Sequence, residues 1–124
     1  MSTSKNQYNK NMLNNTPKEG IELLYTRDCK HWPEALTNLK QAIKETGLTE
    51  EPTIMPVDTR DQAIQFNFFA SPTIHIDGQD VDPHVRRTHK RGLGVERPYF
   101  YKGQTYTAPP VAMIIEAINE FYTK

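Results

Sequence analysis

Residue types able to do chemistry gather in one stretch, Thr26-Arg27-Asp28-Cys29-Lys30-His31-Trp32-Pro33. Cys29 is the only cysteine in 124 residues. It falls between an apolar run that stops at Thr26 and a helical pattern that starts near Trp32. A thiol there meets the unpaired N–H groups and positive dipole end of the helix, which favour a thiolate. Arg27, Lys30 and His31 act in the same direction, and Asp28 acts against it. The plain alternative is a small buried thiol filling a gap, the commoner fate of an isolated cysteine. A single cysteine excludes an intrachain disulfide and a cysteine-only zinc site.

Two other groups invite chemistry. The four histidines, His31, His75, His84 and His89, together with Cys29 would suit a soft metal such as mercury, or zinc or copper. Their spacing lacks the short repeats of a zinc motif, so no metal site is assigned. The loop from His84 to Arg91 gathers Arg86, Arg87, His89, Lys90 and Arg91. A solvated loop is the ordinary explanation. The sharper one is an anion site made by Arg86, Arg87 and Arg91 near the thiol, for glutathione carboxylates, an oxyanion or an acidic partner. Nucleic acid is not expected: Tyr99, Phe100, Tyr101 and Tyr106 lie nearby, but the strip is short. Those aromatics suit cross-strand pairs of a hairpin.

The elements that must position these groups follow from patterning. Fifteen basic and fifteen acidic residues cancel, so no global field draws nucleic acid or membrane. Residues 1–20 are polar and poor in apolar groups, which predicts a disordered tail, and 21–124 form one domain. Ile21 to Thr26 reads as a buried strand. Trp32, Leu36, Leu39 and Ile43 recur at helical spacing, with Pro33 in the first turn and Gly47 at the end. A second strand covers about Thr53 to Val57, at a sheet edge because Pro56 cannot donate to a ladder. Asp58 is the expected cap of a short helix carrying Ala63, Ile64 and Phe66. Thr73 to Asp82 reads as a hairpin turning at Asp77-Gly78, and Tyr99 to Tyr106 as a smaller one. Pro109 and Pro110 start a last helix whose apolar stripe is Val111, Ile114, Ile115, Ile118, Phe121 and Tyr122. No run has the length of a transmembrane helix and the start is not a secretory signal, so the cytoplasm is the expected location.

The order strand, helix, edge strand, helix, strand, hairpin partner, helix resembles the thioredoxin-like superfamily. So do a cysteine at the first helix's start and a proline entering the third strand. More narrowly, Cys29-Lys30-His31-Trp32 and Ser71-Pro72-Thr73-Ile74-His75-Ile76-Asp77-Gly78-Gln79-Asp80-Val81-Asp82-Pro83 resemble small stand-alone members with a Cys-x-x-Trp or Cys-x-x-Cys turn. The resemblance implies an α/β fold: a mixed four-stranded sheet with helices on both faces, and here an extra hairpin before the last helix. It implies a cis Ser71–Pro72 bond facing a solvent-accessible Cys29. Where members carry a resolving cysteine this chain has Trp32. Gly92-Leu93-Gly94-Val95-Glu96-Arg97 stands where some relatives have another cysteine. A dithiol cycle within one chain is therefore excluded.

What remains is a monothiol oxidoreductase with Cys29 as catalytic residue. Lys30, His31, Trp32, Ser71, Pro72 and Thr73 would line the substrate, although Trp32 equally suits the core. No cofactor is called for. Glutathione enters as a co-substrate, the partner is a thiol or disulfide small molecule or protein, and the state is monomer or weak dimer. The alternatives are a non-catalytic binding or adaptor module on the same fold and a soft-metal-binding protein.

Overall fold

The computed structural model describes residues 19–94 and 96–122. The tail expected over 1–20 lies outside them up to residue 18. Gly20 already belongs to the fold: its N–H donates to Asp77 Oδ1 at 2.6 Å and its carbonyl accepts the Asp77 N–H at 2.7 Å.

Strand β1 (Ile21–Tyr25) is the interior strand on which the rest is built, and its first four residues are buried. It runs parallel to β2 (Thr53–Pro56) and antiparallel to β3 (Thr73–Ile76), with Leu23 opposite Ile54 on one side and Ile74 on the other. A two-residue strand β4 (Gln79–Asp80) pairs antiparallel with β3, giving a mixed four-stranded sheet in the order β2-β1-β3-β4. The Pro56 strand is at an edge, where a residue without an N–H leaves no ladder bond unmade. The β3–β4 turn is Asp77-Gly78, with φ of 48° and 83°, the left-handed pair that a two-residue hairpin requires.

Side-chain alternation along β1 divides the core. Ile21 and Leu23, with Ile74 and Ile76 of β3, pack under helices α1 (Trp32–Glu45) and α3 (Val111–Phe121). Leu24 packs with Val57, Ala63 and Phe68 under the short helix α2 (Arg60–Gln65). Helix α1 buries Ala35, Leu39, Ala42 and Ile43, and ends at Thr46 and Gly47, whose φ is +77°. Helix α3 buries Met113, Ile114, Ala117 and Ile118, and leaves Val111, Ile115, Phe121 and Tyr122 half-buried at its flank.

Helix α2 departs from expectation in two ways. Its cap is Thr59, not Asp58. The Thr59 hydroxyl accepts the Gln62 N–H at 3.1 Å and the Gln62 side chain accepts the Thr59 N–H, a reciprocal box. Asp58 is instead held by Arg27 at 2.8 and 3.2 Å. Of the apolar residues it was expected to carry, Ala63 is buried, Ile64 is exposed and Phe66 is its C-cap.

After β4 comes a single 3-10 turn (Pro83–Val85), then irregular chain to strand β5 (Tyr99–Tyr101), which pairs with β6 (Gln104–Tyr106) through Lys102-Gly103. Tyr99 is fully buried, whereas Phe100 points outward. Among the described residues no helix is long and apolar enough to cross a membrane.

Candidate functional site

The Cys29 turn closes with the Cys29 N–H donating to Thr26 O at 3.0 Å. It is stitched to the segment entering β3: the Thr26 N–H donates to Ser71 Oγ at 3.1 Å. The Ser71–Pro72 peptide is cis, as the resemblance implies. The Tyr99 hydroxyl donates to the Pro72 carbonyl. Burial pushes the Tyr99 pKa well above its ordinary value, against the lowering effect of Arg97, and Cys29 is among the groups whose charge acts on it. Tyr99 thus fastens the Pro72 side of the expected site.

Cys29 itself is not solvent-accessible. It is only 6 % exposed, which corrects the expectation of an open thiol. Residues 92–94 and 96–97 lie against the segments on either side of it. Their two ends are fastened to the strand-entry segment, Gly92 N–H to Phe68 O at 3.2 Å and Arg97 N–H to Ser71 O at 3.0 Å. Between them Gly94 (φ +44°) approaches so closely that a Cβ there would stand 2.0 Å from Phe69 O. The carbonyl of Ser71, one of the residues expected to line the substrate, is therefore already paired.

Glu96 completes the closure. Its Oε2 accepts the Lys30 N–H at 2.9 Å, and its Oε1 stands 3.8 Å from His31 Nε2. The cations expected around the thiol are redistributed accordingly. Arg27 is bound to Asp58, whose hydrogen bond raises the Arg27 pKa, and His31 faces Glu96. Trp32 stacks on Tyr25 with ring centroids 4.2 Å apart and packs against the main core, the core role rather than that of an open platform. Thr73 is fully buried, its hydroxyl donating to Ala70 O and accepting from Arg97 Nη1.

Arg97 anchors the segment. Its side chain is closed between the Phe69 and Tyr99 rings and bonds both oxygens of Asp80, at 2.7 and 3.1 Å. Asp82 lies 3.9 Å away. Glu96, Arg97 and Tyr99 are not singled out by sequence as site residues. For Glu96 no local signal exists, because its partner is 66 residues away. For Arg97 there was one: Asp80 and Asp82 on either side of Val81, two carboxylates that must find a cation if buried.

The basic loop does not act as one group. Arg86 and Arg91 line a cavity with His75, while Arg87 is exposed and outside it, and Cys29 is not among the lining residues. Arg87 thus stands apart from Arg86 and Arg91, and the cavity those two line does not include Cys29. The histidines sit apart: His31 near Glu96, His75 near Glu22 at 3.7 Å, His84 on Asp82 at 2.9 Å, His89 exposed. Among the described residues no three His, Cys, Asp or Glu side chains gather as a metal would need.

Comparison with protein-family models, with curated proteins and with solved structures finds no match for this chain.

Proposed function

We propose that the chain is a thioredoxin-like monothiol protein working through Cys29, with segment 92–97 as a cover over the site. The observation that carries this reading is the joining of the Cys29 turn to the Ser71-Pro72-Thr73 segment through the Thr26 N–H and Ser71 Oγ, with the Tyr99 hydroxyl on the Pro72 carbonyl beside it. A thiol meant only to fill a gap needs no such frame.

In the proposed step the Cys29 thiolate attacks one sulfur of glutathione disulfide. The Cys29–glutathione S–S bond forms, the original S–S bond breaks, and glutathione thiolate leaves and takes a proton from solvent. A partner thiolate then attacks the mixed disulfide at the glutathione sulfur: the partner–glutathione S–S bond forms, the Cys29–glutathione bond breaks, and the Cys29 thiolate is freed. Lys30 favours the attacking anion through its ammonium, and His31 does so once Glu96 has moved off it. The released Ser71 carbonyl, with Pro72 and Thr73 beside it, then receives the substrate backbone as an added strand would be received. The compartment proposed for this chemistry is the cytoplasm, where a lone reduced thiol persists.

A second reading is favoured by the 6 % exposure of Cys29: a binding module that keeps the frame and does no thiol chemistry. Incubation with glutathione disulfide followed by intact-mass measurement separates the two. The monothiol reading expects one glutathionyl group on the native wild type and none on Cys29→Ser. If native protein takes up no adduct while urea-unfolded protein does, the binding module stands.

A further inference from the structure

The polar groups that the Cys29 site does not use converge at the far edge of the sheet. Arg86, Arg91 and Thr88 of the irregular chain, His75 of β3 and Gln79 of β4 line a cavity of about 150 Å³. That is about the size of an engineered protein cavity that holds one benzene, and well below the roughly 300 Å³ at which ordinary small-molecule sites begin. A nucleotide or peptide side chain with its backbone is too large. A ligand of a few heavy atoms is not.

The charge of the walls decides which ligand. Two arginines line a space whose lining acid, Asp80, already has both oxygens on Arg97 at 2.7 and 3.1 Å. Each arginine is held along one edge by the protein. Arg86 Nε donates to the Asp80 carbonyl at 2.7 Å and its guanidinium lies 4.5 Å from the Phe121 ring centroid, with Glu120 3.6 Å from Nη1. Arg91 Nη1 donates to the carbonyls of Thr88 and Lys90. A guanidinium has five N–H donors, so both groups are oriented and still have donors to give. Buried His75 adds a ring whose Nδ1 side faces Glu22 at 3.7 Å. Oriented guanidinium donors in a small polar space are the chemistry of oxyanion recognition.

We propose that this cavity binds a small inorganic oxyanion of the size and charge of phosphate or sulfate, with Arg86 and Arg91 as its principal donors. The site is separate from the Cys29 chemistry and stands or falls without it.

The test is calorimetric titration of the full chain with inorganic phosphate, and separately with sulfate, at ionic strength held constant with sodium chloride. Saturable binding to one site is expected, together with a melting temperature that rises with phosphate. Arg91→Gln should weaken binding about tenfold or more, the loss of a charge-assisted bond. Arg87→Gln, outside the cavity, and Cys29→Ser should bind as wild type does. The wild-type titration decides the matter by itself should Arg91→Gln fail to fold. Absence of saturable heat with both anions would mean a water-filled cavity and overturn the proposal. Equal weakening by Arg87→Gln and Arg91→Gln would also overturn it, by showing diffuse attraction instead of a site.

Discussion

Arg97 is a guanidinium shut inside the sheet's edge, 4 % exposed at the side chain, with Asp80 as its bidentate partner and Nε left without one. Burial penalises its charge, and the fields of Tyr99, Asp80 and Asp82 outweigh that penalty, so its pKa is raised. Removing one member of such a pair strands the other in a medium that solvates it poorly, at about 3–5 kcal/mol. Arg97→Met should therefore cost that order in urea unfolding, and Asp80→Leu added to it should recover part of the loss. Lysine should not rescue, because a single ammonium cannot make both bonds. Tyr99 tests a different term. Its folded pKa is raised above the ordinary value near 10, so the unfolded chain releases this proton first as pH rises. The corresponding stability is complete below about pH 10 and is lost above it. Tyr99→Phe should destabilise at pH 7 by about 1–3 kcal/mol, since the Pro72 carbonyl loses its donor. Above pH 10 the gap between mutant and wild type should narrow. A constant gap in denaturation midpoints across that range would remove the titration from the account.

At the scale of elements, the proposed cover of Cys29 has its tightest point at Gly94. A side chain there meets two obstacles together, a left-handed φ of +44° and a carbonyl oxygen 2.0 Å from where its Cβ would be. Backbone must shift, since the obstacle is itself backbone. Gly94→Ala should thus lift the segment, cost about 1–3 kcal/mol of stability, and raise the rate of Cys29 alkylation by iodoacetamide at pH 7. Slower or unchanged alkylation would mean that something other than this segment covers the thiol. The same segment marks the limit of what the sequence makes legible. Apolar runs at β1, α1 and α3, the Asp77-Gly78 turn and the edge position of Pro56 are readable because each is a local pattern with one cheap solution. The cover is not readable that way. Residues 92–97 carry no period in sequence, and Gly92, Arg97 and Glu96 are placed by bonds to positions 68, 71 and 30, so only the folded sheet defines where they go. For the same reason Cys29 could be located at a helix start from its neighbours, while its burial could not. The capping error at α2 is of another kind: Asp58 and Thr59 are both good caps, and the distant Arg27 decides between them.

For the molecule as a whole, the question is how a thiol that is 6 % exposed meets a reagent. Two routes exist, and they differ by orders of magnitude. Global unfolding of a domain costs about 5–15 kcal/mol, so the thiol would be open only about once in several thousand molecules at the most favourable end. Local opening needs less. Lifting segment 92–97 breaks its backbone bonds to Phe68 and Ser71 and the Glu96 bond to Lys30, the last in an exposed position, where water replaces much of what is lost. Arg97 can remain seated as a pivot, because its side chain is anchored in Asp80 independently of the rest of the segment. Local openings expose little new surface, so their equilibrium hardly responds to denaturant, whereas global unfolding responds steeply. Alkylation of native Cys29 should therefore proceed faster than the unfolding equilibrium allows, and its rate should stay nearly flat as urea rises from zero to well below the unfolding midpoint. Glu96→Gln should raise that plateau several-fold by weakening the bond to Lys30, without moving the midpoint by more than the roughly 0.5 kcal/mol typical of exposed substitutions. An alkylation rate that climbs with urea along the global slope from the outset would tie reactivity to unfolding alone, and a thiol reachable only in the unfolded chain cannot serve the native protein.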